Sequence, residues 1–205
     1  MTDFKTDEEK AEELKAWWKE NGTSVIAGVG LAVAALFGWE YWKEHKITTA
    51  ESASALYTES RNAEKPEDTA RMLQQLRDEY GSTPYGAMAG LQTAKNHAEA
   101  GEYQKAADAL QWVIDNSNEA EYQDVARLRL ARVLVAMGQA DKALELTKQD
   151  YPEAYESLLE EIKGDIFAAQ DKKDDARKAY ERAILTNSGG STEFIQMKLD
   201  DLGTS

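Results

Sequence analysis

Residues 137–146 read MGQADKALEL, a polar turn followed by a short helix anchored on Ala143. The same pattern recurs as AGEYQKAADALQWVI at 100–114 and as AQDKKDDARKAYERAI at 169–184. The three anchors, Ala106, Ala143 and Ala176, stand 37 and 33 residues apart. Twelve residues before each anchor is another small residue: Ala94, Ala131 and Gly164. Small side chains at both places let the two helices of a unit approach closely, and Leu110 and Tyr180 on the same faces fill the space toward the next unit. After about residue 50 the apolar spacing is helical, and no stretch alternates with period two for long enough to make a strand.

Internal similarity at this spacing brackets the roughly 34-residue period of tetratricopeptide repeats. A degenerate unit is expected before the three, pairing a helix around Ala50–Arg61 with Pro66–Tyr80. STEFIQMKLDDL at 191–202 reads as a closing helix, because a helical array must cover the apolar face of its last unit. Pro66, Pro84 and Pro152 sit where helical patterns stop and restart. The array departs from the repeat consensus in places. Asp171 stands where the last turn would carry glycine, and most of the consensus bulky residues and closing prolines are missing.

N-terminal to the repeats, residues 23–39 (TSVIAGVGLAVAALFGW) carry no charge. A helix needs roughly 17–25 mostly apolar residues to cross about 30 Å of hydrocarbon. Aromatic rings favour the headgroup layer, so Trp17 and Trp18 mark one interface and Trp39, Tyr41 and Trp42 the other. A buried core helix does not usually carry aromatics and lysines at both ends. A cleaved signal peptide, with Ala32-Val33-Ala34 as its cleavage site, would need a short basic leader. Here residues 1–22 hold four lysines against seven acids, Asp3 and Lys5 among them, so the segment reads as an uncleaved signal anchor. The expected fold is therefore all-α, a single N-terminal transmembrane helix followed by a tetratricopeptide-like solenoid. Its parts are a cytoplasmic acidic tail (1–22), the membrane helix (23–42) and a periplasmic repeat domain (43–205). No Gly, Pro or Ser-rich linker separates the last two.

Orientation follows lysine and arginine near the span ends. Lys5, Lys10, Lys15 and Lys19 precede the span, whereas Lys43, Lys46 and the distant Arg61 follow it, which favours an inward N-terminus. The sequon Asn21-Gly22-Thr23 then lies at the inner interface, where it carries no weight for glycosylation. Absence of cysteine is compatible with export. The net charge is −14, and −11 of it falls on residues 23–205, a balance that argues against nucleic acid. Within the span, Gly30, Ala34 and Gly38 recur every four residues as a small-residue face of the kind that packs helices in lipid. Val25, Val29, Val33, Leu36 and Phe37 suit the lipid side.

His45 and His97 have no partner at metal-ligand spacing, and Gly28-Val29-Gly30 lacks the third glycine of a phosphate loop. Pairs such as Asp174-Asp175 and Asp200-Asp201 read as solvated faces in so acidic a chain. No catalytic, metal or cofactor residue is assigned, and the expectation is a binding protein rather than an enzyme. Counting from the alanine anchors, the first helices would present Met88, Leu91, Lys95 and Ala98, then Val125, Leu128, Arg132 and Val135, then Leu158, Glu161, Asp165 and Ala168. The candidate protein-binding groove is Leu91, Lys95, Leu128, Arg132, Val135 and Asp165.

Several stretches together are similar to a known family: KAWWKENG (15–22), FGWEYW (37–42), YGAMAGLQTAK (85–95), LRLARVLVAMGQADKAL (128–144), GDIFAAQDKKDDARKAYERAI (164–184) and IQMKLDDL (195–202). In order and spacing the chain resembles the YfgM-like ancillary subunits of the bacterial SecYEG translocon. These are single-span inner-membrane proteins with a periplasmic repeat domain. The resemblance implies partnership with the SecYEG translocon, with the membrane-anchored periplasmic chaperone PpiD and with nascent exported polypeptides, and a role in helping new proteins leave the channel. The other readings are a scaffold joining PpiD to the channel without touching substrate, and an anchored scaffold for a different envelope-assembly complex.

Overall fold

The computed structural model describes residues 6–203; Asp3 and Lys5 of the leader lie outside them. Among the described residues every regular element is helical. The chain divides into two compact units, Met1–Thr49 and Ala50–Ser205.

From Asp7 onward the first unit is helical, the first part of helix α1, Asp7–Asn62. Its start is a reciprocal cap: the Thr6 amide donates to Glu9 Oε2 at 3.0 Å, and the Glu9 amide donates to Thr6 Oγ1 at 3.5 Å. Asp7, Glu8 and Glu9 in the first turn complement the helix dipole. The uncharged stretch within α1 is long and apolar enough to cross a membrane. There a helix satisfies every backbone donor and acceptor internally, as hydrocarbon demands. At the C-terminal end of the stretch the rings of Trp39 and Trp42 pack 5.2 Å apart, and Lys46 Nζ lies 4.5 Å over the Trp42 ring.

The second unit is a row of helical hairpins. Residues 50–62 of α1 meet α2 (Pro66–Tyr80), and α3 (Pro84–Glu99) pairs with α4 (Tyr103–Asn116). Then come α5 (Ala120–Ala136) with α6 (Ala140–Leu146), and α7 (Glu156–Ala169) with α8 (Lys173–Leu185). A short helix, α9 (Glu193–Asp201), closes the row. The degenerate hairpin and the closing helix thus stand where the sequence places them. Pro66 and Pro84 open α2 and α3, where the missing amide proton costs nothing. Pro152 precedes a 3-10 turn, Glu153–Tyr155, that leads into α7.

The hairpins close on the small residues. Ala106, Ala131, Ala143 and Ala176 are fully buried, and Ala94 is nearly so. Gly164 shows the requirement most sharply: a Cβ there would fall 2.3 Å from Cε1 of Tyr180. The last unit therefore trades the alanine of its predecessors for glycine to seat an aromatic ring.

The three turns share one geometry. Gly101 and Gly138 adopt φ of 73° and 72°, and Asp171 follows at 59°. After each, the next amide reaches back to the preceding helix: Glu102 to the His97 carbonyl at 2.8 Å, Gln139 to Leu134 at 2.8 Å and Lys172 to Phe167 at 2.9 Å. This is the Schellman closure, in which a left-handed residue lets the chain cap its own helix end. Asp171 is the departure noted in the sequence, and it takes the glycine's conformation nonetheless.

The apolar core runs as successive clusters rather than one centre. Ala53, Leu73, Leu76 and Ala89 join the first hairpin to α3. Ala87, Leu110, Val113 and Ala126 join α3, α4 and α5. Leu128, Ala143, Ile162 and Ile166 join α5, α6 and α7, and Tyr180, Ala183 and Ile195 seat α9. Each fully buried Leu or Ile side chain contributes about 1.5–3 kcal/mol by leaving water.

Candidate functional site

In the apolar stretch of α1, Gly30, Ala34 and Gly38 are exposed, and an added Cβ at either glycine would meet nothing within 4 Å. The expected interfacial residues Trp17, Trp18, Trp39, Tyr41 and Trp42 are likewise at least 48% exposed. The helix thus presents a flat strip with no partner in the first unit itself.

In the repeats, the candidate groove residues divide. Leu128 is 2% exposed and Leu91 8%, each inside an apolar cluster, so neither lines a groove. The physical reason is helical spacing: on a first helix packed against both its own hairpin partner and the neighbouring unit, the positions nearest the small anchor face inward. Lys95 is exposed on α3, and its Nζ lies 3.6 Å from Glu99 on the same helix. Arg132, Val135 and Asp165 do come together. With Ala136 and Glu161 they line a cleft of about 640 Å³ between α5 and α7, and Phe194 and Lys198 of α9 complete it.

The cleft holds an alternating set of charges. Glu161 is 8% exposed and takes Arg132 Nη2 at 3.0 Å on one oxygen and Lys198 Nζ at 2.8 Å on the other. Lys198 also reaches both oxygens of Asp165, at 2.7 and 2.8 Å. The Tyr180 hydroxyl donates to Asp165 at 2.8 Å. Burial, then the Asp165 charge and this hydrogen bond, push the Tyr180 phenol above its ordinary range. Lys198 Nζ further lies 4.8 Å over the Phe194 ring. The arrangement recognises an ammonium group beside an aromatic ring, and α9 supplies both.

Phe194 and Lys198 escaped the sequence reading, which treated 191–202 only as a cover. The signal was present: a lysine four residues after an aromatic, on a helix whose Ile195 and Leu199 supply the apolar face. His97 sits at the end of α3, its Nδ1 2.6 Å from Glu102 Oε2. Lys105, then His97, hold the Glu102 carboxyl below the usual range. The pair braces the turn at Gly101. Among the described residues no three His, Asp or Glu side chains are placed to hold a metal ion.

The tetratricopeptide repeat-like domain family matches residues 15–204, span and repeats together. A protein of Escherichia coli (strain K12) named "Ancillary SecYEG translocon subunit" is 31% identical, covering 98% of this chain and 99% of its own. Proteins of the same name from Aggregatibacter actinomycetemcomitans and Neisseria gonorrhoeae are 33% and 27% identical over 96% of this chain and 97% of theirs. No solved structure matches the chain. With one N-terminal helix able to span a membrane, a repeat array behind it and similarity along nearly its whole length, the chain belongs to the family of ancillary SecYEG translocon subunits.

Proposed function

We propose that this chain is a non-catalytic subunit of the Sec translocon in the bacterial inner membrane. On this reading residues 1–22 lie in the cytoplasm, residues 23–42 span the bilayer and residues 43–205 form the periplasmic domain. The span docks sideways against translocon helices through Gly30, Ala34 and Gly38. The repeat domain, held beside the channel exit, binds a PpiD-type chaperone, emerging polypeptides or both. The observation that carries the reading is the similarity to ancillary translocon subunits across span and repeats in one alignment. The exposed small-residue strip supports the docking mode, because helix association in lipid depends on close packing. Tethering beside the channel raises the effective concentration of two partners, to about the millimolar range for short linkers, so a shallow binding surface suffices.

The test is photocrosslinking in native membranes with probes at Val33 and at Arg132, the latter because its side chain is 44% exposed whereas Leu128 is buried. Translocon adducts from Val33, with chaperone or nascent-chain adducts from Arg132, are expected. No adduct from either would sink the reading. Replacing Gly30 and Ala34 with leucine is expected to reduce co-purification with the translocon several-fold while the repeat domain keeps its melting temperature. Unchanged recovery would remove the strip from the interface.

One observation favours a second reading, a scaffold that joins chaperone and channel without holding substrate. The cleft between α5 and α7 is already occupied by Lys198 of the chain's own α9. Arg132 adducts to the chaperone alone would support it.

A further inference from the structure

A second cleft, of about 540 Å³, lies between α6, α7 and α8. Glu160, Lys163 and Phe167 of α7 line it, spaced three and four residues apart, so it uses a different side of α7 from Glu161 and Asp165. Leu144, Phe167 and Ala179 give it an apolar floor, and Lys148, Lys163, Lys178 and Arg182 surround that floor. Residues 50–205 carry 18 Lys and Arg against 29 Asp and Glu. The cleft gathers four of those cations with only Glu160 and Asp175 among the acids, a local reversal of sign on an acidic domain.

Nor are the cations used up by their neighbours. Glu160 is 5% exposed and already taken by Lys163 at 2.7 Å, which leaves Arg182 at 3.6 Å and 62% exposed. Lys148 is 61% exposed and pairs with Glu145, one turn away and 68% exposed. Lys178 is exposed and makes no ion pair among the described residues. Exposed pairs of this kind are worth about 0–1 kcal/mol, so an incoming carboxylate displaces them at little cost. The three helices belong to two successive units, and α7 packs into the apolar clusters of both, which fixes the spacing of the charges.

We propose that this cleft is a docking surface for an acidic polypeptide segment of a partner protein, with carboxylates set among apolar side chains. The carboxylates meet Lys148, Lys178 and Arg182, and an apolar residue lies on Leu144 and Phe167. The net negative charge of the rest of the domain disfavours acidic segments elsewhere, so the charge reversal gives register as well as affinity.

The test uses the full chain in detergent micelles and, as probe, a fluorescein-labelled peptide of glutamates interrupted by leucine and phenylalanine, followed by anisotropy. Saturable binding is expected that weakens with added salt. The double variant Lys178→Glu, Arg182→Glu is expected to weaken it about tenfold or more, whereas Lys105→Glu, Lys142→Glu leaves it unchanged. Lys148→Ala with Lys178→Ala, both on exposed side chains, gives an intermediate loss and guards against misfolding of the reversal. Equal loss in both reversal variants, or no saturable binding, overturns the proposal. Displacement of the probe by short-chain phosphatidylglycerol at constant ionic strength overturns it in favour of a lipid headgroup. Sedimentation that shows self-association, lost in Lys178→Glu, Arg182→Glu, overturns it in favour of a second copy of the chain.

Discussion

Asp171 shows how a single residue can obey its fold against its own preference. At φ 59° its backbone sits in the left-handed region that glycine enters freely. The same turn, with the same back-bonding amide, is made by glycine at 101 and 138. Asp171→Gly is expected to stabilise the domain by about 0.5–1 kcal/mol, relief of side-chain strain outweighing the entropy glycine loses on folding. A urea midpoint that falls would show that the aspartate is favoured for another reason. Tyr180 has a different signature. Its folded-state pKa is raised, so its contribution is fully present below the unfolded value of about 10 and is lost as pH climbs beyond it. Denaturation midpoints followed from neutral to alkaline pH are expected to fall more steeply above about pH 10 in the natural chain than in Tyr180→Phe.

At the scale of elements, α9 does two things with nine residues. Ile195 covers the apolar end of the last hairpin, and Lys198 ties Glu161 and Asp165 together. Lys198→Met keeps the stem and removes the charge, leaving two carboxylates on neighbouring turns of α7. The expected cost is about 1–3 kcal/mol, less than for a wholly buried pair because Lys198 retains some solvent. In an Asp165→Asn background the cost should shrink, and a double-mutant cycle measures the difference. If the two losses simply add, the bridge does not couple the helices.

For the whole molecule, the hairpin order was legible because one spacing, small residue to anchor, repeats through 94, 106, 131, 143, 164 and 176. Each of those residues packs where that spacing puts it. The inward-facing surface was less legible. Periodicity tells which side of a helix is apolar, not which apolar residue is covered by a neighbour far away in sequence, and so Leu91 and Leu128 were read as groove. The same holds for the pairing of Lys198: its place on α9 follows from the sequence, but its partners are 33 and 37 residues earlier. The proposed orientation has its own test at this scale. Trypsin added to spheroplasts is expected to degrade the repeat domain and spare a tag placed before the span, and the opposite protection pattern would invert the topology.

A ribosome makes this chain from its N-terminus, so Glu161 and Asp165 are synthesised well before the lysine that neutralises them. Until residue 198 arrives, Asp165 has no cation and the apolar end of α8 faces water. The hairpin of α7 and α8 is thus finished by a helix delivered after it, and a chain halted short of α9 would present a bare acidic notch where the molecule with α9 carries a neutralised one.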